Sequence, residues 1–494
     1  MKVRRWLFMM ATCLSLQNSN LDFTIENISQ LIGFFTTASH KVIAPAAKSQ
    51  HMTTTQAFDP QAAGIPAHLQ EFAPSYGAAM QRVAALSPSN YARSRNALDG
   101  AVSGLSPYLT HGIVSLPEVA TQVSQQHRLG YEDKLIFEFG WREFFHHVWE
   151  RAQQSDDILK DMRPANLWRG AYATTLPLDI REGRTGVPCI DTAVRQLYAT
   201  GYLHNHARMW LASYCVHLRK VHWRAGADWL YAHLLDGDLA SNHLSWQWVA
   251  GTFSSKPYLF NAANVAKYAP QNAWKAWASA KTAVDMSYEQ LDTVAREQGN
   301  VGPEPGMHAV VPEPALLRPH DEVFLKLFEQ VAGDKSGLFA TELIANRLQT
   351  TPSLELITPW ALSEKSADSP ASLRIGLILS DAHRALPWSA RRWHFVLQRM
   401  AQICDAIWMG SNADWAQLTS QPHWPARDHV QATASLMPGY AQTLSQVASL
   451  RPSPKLFMQP SSFCGSFSKF YERAQRAKPD FKALISLPQQ QSLL

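Results

Sequence analysis

The stretch "LLDGDLASNHLSWQWVAGTF" (residues 234–253) sets Asp236 and Asp238 on either side of Gly237, then Asn242, then Trp246 and Trp248 around one glutamine. Glycine has no side chain, so a ligand can approach the backbone closely between the two acids. A carboxylate there can accept hydrogen bonds from a ribose or form a buried pair with an arginine, and a carboxamide can both donate and accept. In isolation, Asp-Gly-Asp is as readily a solvated turn. Its apolar company, Leu234, Leu235, Leu239 and the two tryptophans, points instead to the wall of a ligand pocket.

Two other groups have chemical potential. In "FEFGWREFF", Glu138, Trp141 and Arg142 fall at i, i+3 and i+4 and share one helix face. An indole between an acid and a guanidinium can stack on a flat base and hydrogen-bond its edges; the plainer reading is a helix surface with an i, i+4 ion pair. In "LHNHARM", Asn205 and Arg208 are also three apart. Arg208 can pair with an aspartate, while Asn205 can donate to one base edge and accept from another.

These groups need a scaffold, and 494 residues are enough for two or three domains. An apolar content of 46% with 17% charged residues describes a folded globular protein. The 17 tryptophans suit stacking surfaces for flat ligands, or a large aromatic core. A formal net charge of +5 permits a basic groove for nucleic acid without demanding one. Five scattered cysteines with no CxxC pair argue against a disulfide scaffold and a zinc site, and fit a reducing, cytoplasmic setting.

From about Leu69 to Gln298 the apolar spacing is helical, with Gly201 expected to break the long tract 189–221. Residues 299–322 are rich in Pro and Gly and read as a linker. Beyond them, "LRIGLILS" (373–380) is a buried-strand run, 389–404 an amphipathic helix and 405–410 a second strand, which suggests a parallel sheet within an α/β domain over 323–494. It has neither GxGxxG nor a P-loop, so nothing there names a nucleotide. Residues 1–51 have the outline of a signal peptide without a clean cleavage site, and Met52 opens an ordinary-looking start; they are expected to be a leader or a mis-assigned start. No stretch reaches the roughly 18 apolar residues that span a bilayer, so no membrane partner is expected.

"GRTGVPCIDTAVRQLYATGYLHNHARMWLASY" followed by "HWRAGADWLYAHLLDGDLASNHLSWQWVAGT", with "LSPYLTHGIVS" and "WREFF" upstream, closely resembles the helical flavin domain of the photolyase/cryptochrome family over roughly residues 75–295. The resemblance implies a mainly α fold: an all-helical photolyase-type FAD-binding domain (52–298) followed by the smaller α/β domain. It implies that Asp236 and Asp238, with Arg208 and Asn205, hold the flavin, that Asn242 faces flavin N5, and that Tyr91, Ser103, Leu105 and Ser106 wrap the diphosphate. Trp246, Trp223 and Trp168 match an electron-hopping chain. Glu138, Trp141, Arg142, Asn205, His206, Met209 and Trp248 match the lesion pocket and DNA contacts.

In that family, photoexcited reduced FAD passes an electron to a cyclobutane pyrimidine dimer in damaged DNA, the ring splits and the electron returns. Asn205 and Met209 stand where enzymes for (6-4) photoproducts resemble a histidine-rich pattern, which favours the cyclobutane lesion. The chain departs from the family in four ways. The usual N-terminal antenna-binding domain is missing, so no antenna of that type is expected, and the C-terminal domain is an unrelated appendage or a relocated counterpart. "AVSGLS" replaces Thr-Ser-Arg-Leu-Ser, His206 replaces an arginine, and "FSSKPYLFNAANVAKYAP" lacks the usual wording. Only Cys189 and Cys215 lie in the flavin domain, so no iron–sulfur cluster or other metal is expected. A cryptochrome-like photoreceptor, or a flavin-binding remnant, are the rival readings.

Overall fold

The computed structural model describes residues 58–152, 160–162, 170–297, 299–303, 310–335, 353–365 and 373–486. The segment 1–51 and Trp168 lie outside the described residues. Residues 55–494 make one compact unit in which helices are followed by an α/β layer.

Six helices position the groups singled out above: α1 (Ser106–Thr110), α2 (Lys134–Ala152), α3 (Pro188–Thr200), α4 (Asn205–Ser213), α5 (Trp223–His233) and α6 (Leu239–Ala250). Proline opens α3, where the first N–H has no helical partner to lose. Gly201 ends it with φ 69°, the left-handed cap that glycine takes without strain, and so breaks the tract. Asp238 caps α6 by accepting from the Ser241 amide, and Gly251 closes that helix at φ 82°. α6 packs against both α2 and α5.

The C-terminal sheet is entirely parallel: β1 (Leu354–Ile357), β2 (Leu373–Leu379), β3 (Ala406–Gly410), β4 (Val430–Thr433) and β5 (Ser449–Arg451), in the order β3-β2-β1-β4-β5. Leu354 aligns with Leu373 on one side and Val430 on the other. All seven residues of β2 are buried, as a parallel strand covered on both faces requires. The winding reverses between β1 and β4, and in open sheets of this kind ligands lodge outside the carboxyl ends of the strands at such a reversal. Part of the Pro/Gly-rich stretch is tied down: Leu316–Leu317 pairs with Trp388–Ser389, and Glu313 accepts from Trp229 Nε1 and His233 Nε2 at 3.0 Å each.

Two later helices matter below, α7 (Ala390–Ile403) and α8 (Phe467–Ala477). The chain from Lys455 onward returns over α2. The Leu456 and Phe457 amides donate to the Glu143 carboxylate, the Cys464 amide donates to His147 Nε2, and Tyr471 Oη donates to the Tyr131 carbonyl. Gly140 makes room for this segment, since a Cβ there would lie 2.7 Å from the Tyr471 ring.

Burial pushes the Glu143 carboxyl up from 4.5 to about 7, against the pull of those two amides. A pKa raised on folding adds stability that is fully present below the unfolded value and is lost as pH rises through the folded one. The shift is on the order of 3 kcal/mol at about 1.36 kcal/mol per unit. Thermal stability is therefore expected to fall between about pH 5 and 8, with Glu143→Gln flattening the dependence. An undiminished slope in that variant assigns the titration to another group.

Candidate functional site

Asp236 lies on the turn between α5 and α6 and is 6% exposed. Arg208 of α4 donates through Nη2 to both of its carboxylate oxygens, at 3.0 and 2.7 Å, and through Nε to the Leu203 carbonyl. The pair is thus fixed at three points. Two residues on, Asp238 accepts from His146 Nε2 at 3.0 Å and lies 3.7 Å from Arg142, both on α2. Burial opposes its charge, but His146 and Arg142 outweigh that and hold the carboxyl well below its ordinary value. Asn242 donates from Nδ2 to the Ala227 carbonyl at 2.8 Å, which orients the rest of the carboxamide. Between them, Ser241 Oγ is buried with no hydrogen-bond partner among the described residues. A buried hydroxyl left unbonded is costly unless a ligand completes it. Carboxylates, guanidinium, carboxamide and this hydroxyl together suit a polyhydroxylated cofactor of the flavin type.

Around the expected diphosphate segment, Ser103 Oγ accepts from the Leu105 amide, Leu105 is fully buried, Ser106 opens α1 and Tyr91 is half-buried. Gly104 has φ 60°, and a Cβ on it would lie 2.6 Å from Arg82 Nη1. A side chain is excluded there twice over, by conformation and by space. Arg82 itself donates to the carbonyls of His68 and Glu71.

The residues matched to the lesion pocket group differently from the sequence pattern. Glu138 pairs with Arg95 at 3.3 Å rather than with Arg142. The Arg95 carbonyl also contacts His204 Nε2, so Arg95 links α2 to the start of α4, where Asn205 reaches Met209 Sδ at 3.5 Å. His206 lies 4.4 Å from the Tyr268 ring, and burial followed by Arg95 pulls its pKa down to about 4, leaving it neutral. Trp248 is half-buried and tilts against Tyr258. Trp141 stacks on Phe467 of α8, with ring centres 4.0 Å apart and planes within 8°. Sequence spacing carried no signal for Arg95, His146 or Phe467, because each contact joins separate elements.

Among the tryptophans, Trp246 is buried against Gly226 of α5, where any Cβ would strike its ring. Trp223 opens α5, is buried, and donates from Nε1 to Asp161 Oδ1 at 2.5 Å. Its ring and that of Trp149 each lie within 6.4 Å of His243. Beside the acidic loop a crevice of about 680 Å³ opens between α1, α2 and the carboxyl ends of β1 and β4, bordered by Thr110, Arg142, His146, Asp238, Thr358 and Ser435. It sits at the reversal point of the sheet. Among the described residues no helix is long and apolar enough to cross a membrane.

Residues 135–282 match the FAD binding domain of DNA photolyase. The deoxyribodipyrimidine photo-lyase of Streptomyces griseus is 40% identical over 153 residues, 31% of this chain and 32% of that protein. The chloroplastic/mitochondrial cryptochrome DASH of Ostreococcus tauri is 30% identical over 219 residues, 40% of this chain and 38% of that protein. The chain spans about a third of the length of these curated relatives. A cryptochrome structure from Synechocystis sp. PCC6803 overlays 41% of this chain and 45% of its own at 28% identity, with a TM-score of 0.36, too low to add to the comparison. Over its helical segment, the chain is thus similar to the FAD-binding domain of DNA photolyases and to a cryptochrome DASH.

Proposed function

We propose that this protein is an FAD-dependent, blue-light-driven photolyase-like enzyme that splits cyclobutane pyrimidine dimers in damaged DNA. The observation that carries the reading is the Arg208–Asp236 pair beside Asp238, Ser241 and Asn242, inside the segment that matches an FAD binding domain. When bound, FAD supplies a light-driven electron for ring splitting. The chain's own part is to grip and orient. Asp236, locked by Arg208, and Asp238, locked by His146 and Arg142, fix the flavin's sugar-like region. Asn242 is the residue that faces flavin N5, and Ser103 and Ser106 serve the diphosphate. Trp246 and Trp223 carry electrons inward. Trp141 and Trp248 offer ring faces to an extruded base, with Glu138, Asn205 and Met209 along its edges and Arg142 for phosphate. His206, being neutral, contributes shape rather than charge.

A flipped base costs a few kcal/mol of unstacking, least for a damaged one, and stacking on an aromatic returns about 1–3 kcal/mol per base. Wild type is therefore expected to hold a dimer-containing oligonucleotide in preference to an undamaged one, with affinity falling as salt rises. Trp141→Ala should erase the preference but keep the yellow colour and the salt-dependent background.

The rival reading, a photoreceptor signalling through the C-terminal domain, draws on the Trp141–Phe467 stack, which already covers one face of that indole. Equal affinity of wild type for damaged and undamaged DNA would favour it. The strand order and the crevice at the sheet's reversal point support taking the C-terminal domain as the relocated counterpart of the antenna-binding domain. Light absorption by wild type beyond that of FAD alone tests this.

A further inference from the structure

Arg392 is a residue of α7, in the C-terminal domain, yet its side chain ends within the acidic loop. It is completely buried. Nη1 donates to the Tyr231 carbonyl at 2.9 Å and Nη2 to the Gly237 carbonyl at 2.5 Å. The guanidinium lies 3.9 Å from the Trp388 ring centre and 4.6 Å from that of Tyr231. A Cβ on Gly237 would come within 2.4 Å of Nη1. The glycine between the two aspartates is therefore required jointly by this arginine and by the Tyr231 carbonyl it grips, which would lie 2.5 Å from the same Cβ.

Burying a guanidinium on two carbonyls and two rings is costly compared with packing an apolar side chain of similar size, and the nearby Asp236 and Asp238 offset only part of that cost, since burial still pulls its pKa down. Plain domain docking gives no reason for a charge here. What the guanidinium does, and a leucine could not, is grip two carbonyls at once, one at the end of α5 and one in the turn that follows. That fixes the backbone from Tyr231 to Gly237, and with it the direction in which Asp236 and Asp238 leave the chain. His111 of the helical domain lies between the Leu235 carbonyl (Nε2, 2.9 Å) and the Pro359 carbonyl of the C-terminal domain (Nδ1, 2.6 Å). Burial pulls its pKa down to about 3, so the neutral ring donates to one of the two, and Arg392 remains the tie that holds the loop.

We propose that Arg392 is a positioning residue of the cofactor site, through which the C-terminal domain holds the Asp236–Gly237–Asp238 turn in the shape that binds FAD. Retention of the cofactor then depends on a residue of the C-terminal domain. This inference rests on the FAD reading above.

The test uses the full chain and follows FAD release by flavin fluorescence, together with the visible fine structure of the bound flavin. Arg392→Gln should release FAD about tenfold faster, the loss expected when a charged donor gives up a hydrogen bond. Its bound flavin should show blurred fine structure, since the turn is no longer fixed. Arg392→Lys keeps the charge but reaches one carbonyl, and should fall between Arg392→Gln and wild type. Arg392→Ala should recover slow release on addition of guanidinium ion but not of sodium ion at the same concentration. If Arg392→Gln fails to fold, the lysine variant decides alone. Wild-type release and spectrum in Arg392→Gln or Arg392→Lys, or an alanine variant indifferent to guanidinium, would overturn the inference. A wild type that takes up no FAD at all defeats the flavin reading instead.

Discussion

Arg208→Met is expected to leave a folded but colourless protein. The substitution keeps most of the side-chain volume and removes both bonds to Asp236, leaving that carboxylate buried without a partner. Breaking one side of a buried pair typically costs about 3–5 kcal/mol, and the partial exposure of Arg208 places the effect at the lower end. The melting temperature should drop, and FAD should be lost altogether because Asp236 is free to turn away or take up a proton. Combining Arg208→Met with Asp236→Leu separates the two effects. The double variant should regain stability, since replacing a buried ion pair with apolar residues is often neutral, but it should stay colourless. A double variant that binds FAD like wild type would remove the pair from the cofactor site.

The second large effect concerns electron supply. Trp246 is buried against Gly226 and lies one helical turn beyond Asn242, which makes it the indole nearest Asn242 in sequence. Phenylalanine keeps an aromatic ring against Gly226 but is much harder to oxidise. Trp246→Phe should bind FAD normally and largely lose light-driven reduction of the oxidised flavin, followed by absorbance under blue light with an external thiol. Reduction at the wild-type rate would mean that electrons enter by another route and that the Trp223–Trp246 assignment is wrong.

What was legible in the sequence was whatever depends on local pattern. The apolar spacing around Leu135 and Phe144 gave α2, the unbroken run at 373–380 gave β2, and Gly201 marked the end of α3. Arg208 was an evident partner for an aspartate by type alone, and the Arg208–Asp236 bond is present; its role is what the first experiment above tests. Illegible were contacts between segments far apart in the chain. Glu138 had Arg142 at ideal helical spacing, yet it pairs with Arg95, 43 residues away, because α2 turns its two charged residues to different neighbours. Two glycines told only half their story. Gly104 and Gly237 each announced an absent side chain, but that Arg82 and Arg392 occupy the vacated space is a property of tertiary packing. Phe467 is similar: nothing in the sequence links it to Trp141, and only the fold brings the two rings together.

The most direct test of the central claim is to load the full-length protein with FAD, reduce it, and illuminate it with blue light in the presence of an oligonucleotide carrying one cyclobutane pyrimidine dimer. Restored pyrimidines should accumulate with light dose, with none in the dark and none with Arg208→Met. A yellow protein that photoreduces its flavin yet leaves the dimer intact after prolonged illumination would contradict it.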